Sequence, residues 1–148
     1  MASYAENRKA RFKFEVKDTI EAGIELLGTE VKSVRAGKII IAGSHAWVRG
    51  REVFLVGAQI PAYQTKNAPA DYDPERPRKL LLSRKEISEL DNFAEGKGLT
   101  LVPLSVYNKG RVIKVLLGLV RGKKNRDKRE SIKKREAERE IKRTLKYK

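Results

Sequence analysis

The sequence predicts a mainly β fold: a small antiparallel OB-like barrel of about six strands, with two or three flanking helices and a basic C-terminal tail. Three observations lead there. Apolar residues alternate with polar ones at a period of two through several segments of residues 1–120. Turn residues separate these segments at hairpin spacing. The strand–helix–strand rhythm of a parallel sheet is missing. A two-layer sandwich is the alternative architecture.

Phe12, Phe14 and Val16 alternate with Lys13, Glu15 and Lys17, which predicts a half-buried strand that Asp18-Thr19 breaks. Ile20, Ala22, Ile24 and Leu26 continue the alternation up to Gly28. From Thr29 the spacing changes to that of a short helix: Thr29 is the expected N-cap, Glu30 suits the first turn, Val31 and Val34 face the core, and Gly37 takes the left-handed C-terminal position. Residues 39–48 and 53–60 form one expected hairpin across Arg49-Gly50-Arg51-Glu52. Residues 99–107 and 112–120 form another across Asn108-Lys109-Gly110. Between them, Pro61 to Pro77 holds four of the five prolines and is expected to be a surface loop. After Leu80-Leu81-Leu82, Ser83 and Glu86 form a capping box for a helix that turns Ile87, Leu90 and Phe93 or Ala94 inward, ended by Gly96 and Gly98.

The chain has 148 residues, 34 Lys plus Arg and 19 Asp plus Glu, a net charge of +15 that calls for a polyanionic partner. The charge is uneven. Residues 1–120 hold 20 basic and 14 acidic side chains, residues 121–148 hold 14 and 5. The chain therefore divides into a barrel-forming segment, 1–120, and a basic tail, 121–148. With Ile132, Ala137, Ile141, Leu145 and Tyr147 as its main apolar residues, the tail buries too little area to offset about 1–2 kcal/mol of backbone entropy per residue. It is expected to be disordered when free. Helical pairs such as Glu130–Lys134 and Glu138–Lys142 let it form a helix once a polyanion removes its like-charge repulsion.

Several function classes drop out. Cysteine is absent, so thiol chemistry and thiolate metal sites are excluded. The single histidine, His45, cannot build a multi-histidine metal site, and Ser44 beside it has no third member to complete a nucleophilic triad. No phosphate-cradling Gly-rich motif occurs. Asp71 and Asp73 lie two apart with no further ligand at useful spacing. No catalytic residue, metal or cofactor is therefore expected. No run of about 18 apolar residues is present to span a membrane, nor does the N-terminus carry a signal peptide's apolar core, so a cytoplasmic monomer is expected.

Basic residues cluster where elements end: Arg8, Lys9, Arg11 and Lys13; Lys32, Arg35 and Lys38; Arg76, Arg78 and Lys79; and the tail. Ordinary solvation explains any one of them. Their clustering favours nucleic acid, and RNA over duplex DNA, because no helix-turn-helix, zinc finger or basic zipper is visible. Lys32, Arg35 and Lys38 are assigned to phosphates.

Longer motifs then resemble one family, the SsrA-binding proteins (small protein B), partners of bacterial transfer-messenger RNA. They are Asn7-Arg8-Lys9-Ala10-Arg11; Glu21-Ala22-Gly23-Ile24; Gly28 to Ser33 with Arg35 to Lys38; Asp73-Pro74; Arg76; Arg78 to Leu82; Gly98 to Leu104; Gly118 to Lys124; and Asp127-Lys128-Arg129. The resemblance implies an OB-type barrel that binds the tRNA-like domain of transfer-messenger RNA and delivers it to stalled ribosomes, with the tail helical along the empty message channel near the small-subunit decoding region. It implies RNA-binding roles for Glu21, Leu81 and Asn7. By itself Leu81 reads as core, and Glu21 as a strand-edge salt bridge, as a carboxylate that accepts from base or sugar donors, or as one that holds an Arg or Lys in position for phosphate. Arg11, Arg78 and Lys79 join the RNA-binding set. Lys123, Lys124, Arg126, Asp127, Lys128 and Arg129, with Lys133, Lys134 and Arg135, form the ribosome-binding tail. Phe12 and Arg126 stand where the family commonly has His, so at Phe12 one polar contact is expected to be absent or replaced by stacking, and at Arg126 an always-charged guanidinium can stack on a base instead. A ribosomal or ribosome-assembly protein with a basic tail is the alternative function.

Overall fold

Seven antiparallel strands and three helices make up the described residues, 3–63, 71–97 and 99–122 of a computed structural model. In chain order they are β1 (Ser3–Glu6), α1 (Arg8–Lys13), β2 (Phe14–Ile24), α2 (Gly28–Arg35), β3 (His45–Arg49), β4 (Glu52–Val56), β5 (Arg78–Leu81), α3 (Arg84–Lys97), β6 (Thr100–Lys109) and β7 (Val112–Gly122). The pairing β6-β3-β4-β5-β2-β7 returns to β6, so six strands close into the expected barrel. Two of the closing contacts are short: β3 meets β6 at the single pair Ala46–Leu101, and β5 meets β2 at two pairs. The seventh strand, β1, lies outside that ring. It pairs with the Ser105–Tyr107 half of β6, while β3 meets the same edge at Leu101. Four residues of Ser-Tyr-Ala-Glu are too short to carry a periodic signal, and the sequence reading missed this strand.

β7 is apolar on both faces, and the packing explains it. Val115, Leu117 and Leu119 point into the barrel core with Ala22, Leu55, Leu80, Leu101 and Val106. Val120, on the other face, joins a smaller cluster with Val102, Leu104 and Ala10 of α1, flanked by Phe14, Val16 and Leu116. Between them, Gly118 leaves room for Leu104. A Cβ on Gly118 would lie 2.8 Å from Leu104 Cδ1 and 3.1 Å from its Cγ, and Leu104 is fully buried. Gly118→Ala is expected to destabilise the fold by about 1–3 kcal/mol through overpacking, read as a lower urea midpoint with an unchanged m-value.

Leu104 is the extra residue of a β-bulge: Pro103 pairs with Leu117 and Ser105 with Leu116. Pro103 has no N–H to give a ladder, so a bulge is where a long paired strand tolerates it. Asn7 takes up the carbonyls turned out there. Its backbone N–H donates to Leu104 O (2.8 Å), its Nδ2 donates to Pro103 O (2.8 Å), and its Oδ1 caps α1 by accepting from Ala10 N (3.1 Å).

The structure corrects several element boundaries. Phe12 and Lys13 belong to α1, because the Asn7 cap starts a helix that local alternation cannot reveal. Asp18-Thr19 does not break β2; a bulge between Val16 and Asp18 absorbs the irregularity and one strand continues to Ile24. The N-cap of α2 is Leu27 rather than Thr29, with the Glu30 carboxylate accepting from Leu27 N (2.8 Å). Gly37 ends that helix as expected, at φ +76, in a Schellman pattern of Lys38 N to Ser33 O (3.1 Å) and Gly37 N to Val34 O (2.9 Å). β3 and β4 are shorter than expected because Gly43 and Gly57 turn the chain at φ +80 and +88, leaving only an isolated Ile40–Gln59 bridge beyond them. The capping box of α3 forms: Ser83 N donates to Glu86 Oε1 (2.9 Å) and Glu86 N to Ser83 Oγ (3.2 Å). Ile87 and Leu90 turn inward, whereas the Phe93 and Ala94 side chains and the tail from residue 123 lie outside the described residues.

Candidate RNA interface

Period-two alternation sets the outer face of the barrel. Ala22 points inward and is fully buried, which turns Glu21 and Gly23 outward. Gly23 pairs with Leu81 on one side and Lys114 on the other, and Lys114 pairs with Tyr107. Leu81, Gly23, Lys114 and Tyr107 thus form one row across β5, β2, β7 and β6. Without a side chain at Gly23, Leu81 lies over the backbone; a Cβ there would be 3.2 Å from Leu81 Cβ. Leu81 is 50% exposed, which overturns its reading as core.

Glu21, two residues along β2, collects the polar ends of this row. The Tyr107 hydroxyl donates to Glu21 Oε2, and Lys109 Nζ donates to Oε1 at 3.1 Å. The Tyr107 bond, then the Lys109 bond, hold the Glu21 carboxyl below the usual range. In return, burial, the hydrogen bond to Glu21 and its charge push the Tyr107 hydroxyl up to about 12. Glu21 thus fixes a tyrosine and an exposed ammonium on the surface. Glu21→Gln is expected to bring the Tyr107 pKa part of the way back toward 10.0 in an absorbance titration of tyrosinate, because it removes the carboxylate charge while burial still raises the hydroxyl.

A second basic group comes from α2, held by a buried ion pair. Glu30 and Arg78 side chains are both fully buried, 2.7 Å apart. Arg78 Nε also donates to Glu30 (2.9 Å), and its other nitrogens donate to Ala58 O (2.9 Å) and Pro74 O (2.9 Å). Arg76 closes over Glu30 with two further hydrogen bonds, and the Tyr72 hydroxyl sits 2.7 Å from Ile60 O. Burial by itself would raise the Glu30 pKa, but Arg76, the Leu27 N–H and Arg78 together outweigh it and hold the carboxyl low. With α2 so fixed, Arg35 donates to Arg111 O at 3.0 Å, in the β6–β7 turn. Lys38 Nζ lies 5.8 Å from the centre of the Tyr63 ring. The α2 cations and the Glu21 face therefore meet at one hairpin turn.

The expected site residues divide accordingly. Glu21, Leu81, Lys32, Arg35, Lys38 and Lys79 reach the surface of the barrel and α2. Arg11 is exposed on α1, which covers the outer surface farther along β6 and β7. Arg78 is corrected from a surface contact to a buried residue: it alternates in phase with Leu80 on β5, so it points inward with Leu80. Asn7 is likewise buried at 2% exposure, its side chain engaged with Ala10 and Pro103, and it shapes α1 rather than meeting solvent. Lys123, Lys124, Arg126, Asp127, Lys128, Arg129, Lys133, Lys134 and Arg135 lie outside the described residues. Sequence reasoning missed Tyr107, Lys109, Arg111 and Lys114. The outward phase of Tyr107 against inward Val106, and of Lys114 against Val115, carried that signal.

Among the described residues, no group of three or more His, Cys, Asp or Glu is placed to hold a metal, and no helix is long and apolar enough to cross a membrane. Asp73 Oδ1 accepts from Glu75 N (2.9 Å) within its own turn.

Residues 4–147 match the family described as SmpB protein. Among curated relatives, an SsrA-binding protein of Chloroflexus aggregans is 54% identical over 146 residues, covering 99% of this chain and 92% of that protein. One from Streptococcus thermophilus is 51% identical over 142 residues, covering 96% and 92%. One from Rhodopseudomonas palustris is 54% identical over 143 residues, covering 95% and 90%. A solved structure described as "tmRNA-SmpB: a journey to the center of the bacterial ribosome" superposes with a TM-score of 0.67 at 47% identity, covering 86% of this chain and 93% of that one.

Proposed function

Because the chain belongs to the SmpB protein family, we propose that it is an RNA-binding adaptor that grips the tRNA-like domain of transfer-messenger RNA and delivers it to stalled ribosomes for trans-translation. It acts in the cytoplasm as a monomer and without catalysis of its own. The barrel supplies the grip and the basic tail engages the small-subunit decoding region and message channel. One observation carries the reading: the outward row of Leu81, Gly23, Lys114 and Tyr107, braced by Glu21 and joined to the α2 cations through Arg35 and Arg111. Exposed Lys109, Arg35 and Lys32, with half-buried Lys114 between β2 and β6, meet phosphates and supply affinity. A rigid curved face with a leucine and a tyrosine at its ends selects folded RNA by shape. Of the expected RNA-binding residues, Arg78 and Asn7 act from behind this face by holding α2 and α1.

A titration of end-labelled tRNA-like domain, with ordinary tRNA as competitor, tests the reading. Six to ten phosphate contacts should weaken binding by about 10³-fold or more between 50 and 200 mM salt. Glu21→Gln should weaken it by about tenfold, since Lys109 and Tyr107 lose the charged group that orients them. A salt-independent affinity, or equal competition by ordinary tRNA, would contradict the proposal.

A further inference from the structure

The outer surface does not stop at Leu81. Lys79 lies two residues before it on the same face of β5 and pairs with Phe54 of β4, which pairs with Trp47 of β3. Directly opposed residues stand about 4.5–5.5 Å apart at Cβ, so Trp47, Phe54 and Lys79 form a second cross-strand row beside the first. Trp47 is 57% exposed, the most exposed large apolar side chain among the described residues, while Phe54 in the middle of the row is half-buried. Ala46, Val53, Leu55 and Leu80 fill the core side of these strands, so Trp47 contributes nothing to the barrel interior that would explain a large aromatic here.

We propose that Trp47 is a stacking platform for an unpaired base of the bound RNA, extending the grip from the Leu81–Tyr107 row across Lys79 to β3. The inference rests on the RNA-adaptor reading and deepens it. Charge selects the occupant. Lys79 stands in the row itself, Arg49 lies two residues along on the same face of β3, and Arg51 follows in the turn. The acids nearby are Glu52, paired in register with Arg49, and Glu25, whose backbone N–H donates to Lys79 O at 2.9 Å. A flat aromatic flanked by cations on a sheet surface suits a nucleobase with its phosphates, because every base has a π-face and the cations meet the backbone. An apolar protein partner would gain nothing from those charges.

The chain has a single tryptophan, so its emission reports Trp47 alone. Full-length protein is titrated with the tRNA-like domain while anisotropy of the end-labelled RNA reports binding independently. Heparin serves as a polyanion without bases. Emission should be quenched in step with RNA binding and left nearly unchanged by heparin. Trp47→Leu should weaken RNA binding by about five- to 150-fold, and Trp47→Phe should retain most of it. RNA binding that leaves the emission unmoved, or a Trp47→Leu variant that binds like the parent, would overturn the platform and leave this face to a protein partner. Anisotropy showing no binding by the parent protein would instead sink the adaptor reading, and the platform with it.

Discussion

Replacing Glu30 with Gln is expected to lower the unfolding free energy by about 3–5 kcal/mol, because it leaves Arg78 charged, buried and without its carboxylate. That is a large fraction of the stability of an ordinary domain. Urea unfolding should show the loss as a lower midpoint, and a change below about 1 kcal/mol would contradict a buried ion pair at this position. The pH dependence has a definite sign. Glu30 has its folded pKa lowered from 4.5, so its contribution is complete above that value and is lost as pH falls through the lower folded one. The parent protein should therefore lose stability in acid more steeply than Glu30→Gln. RNA affinity should fall as well, since α2 carries Lys32 and Arg35 and Glu30 fastens it to β5.

Ending the chain at Gly122 is expected to abolish rescue of stalled ribosomes while leaving tight binding to the isolated tRNA-like domain. The cut belongs after Gly122 because β7 runs that far: Gly122 pairs with Phe14, Arg121 pairs with Glu15, and Arg121 reaches the Glu15 carboxylate at 3.3 Å. The residues removed carry 13 basic and 5 acidic side chains, a net +8 with little apolar area to dock on the barrel. Binding by anisotropy and rescue in a reconstituted translation system separate the two roles. Parallel loss of both would place the tail in the primary RNA grip.

Local periodicity made much of the barrel legible. The alternation of Ile20, Ala22 and Ile24, the two hairpins, the Ser83–Glu86 box and the Gly37 stop are each encoded within a few residues, and all appear in the structure. The resemblance drew Glu21 and Leu81 out of the sequence, and the register put them on one outer face. Arg78 was misplaced because its neighbours in sequence, Arg76 and Lys79, are basic and less buried. Its partner Glu30 lies 48 positions away, and no local pattern records that pairing. The burial of Asn7 is hidden for the same reason, since the Pro103 and Leu104 carbonyls it meets come from β6.

The sequence by itself determined the charge and its concentration in the last 28 residues, and the alternation of strands such as the one through Ile20, Ala22 and Ile24, because composition and side-chain alternation follow directly from residue order. Only the tertiary structure decided which outward residues stand side by side, and which charged groups turn inward. Those outcomes depend on barrel closure and strand register, which bring Leu81, Gly23, Lys114 and Tyr107 into one row from four separate stretches of chain.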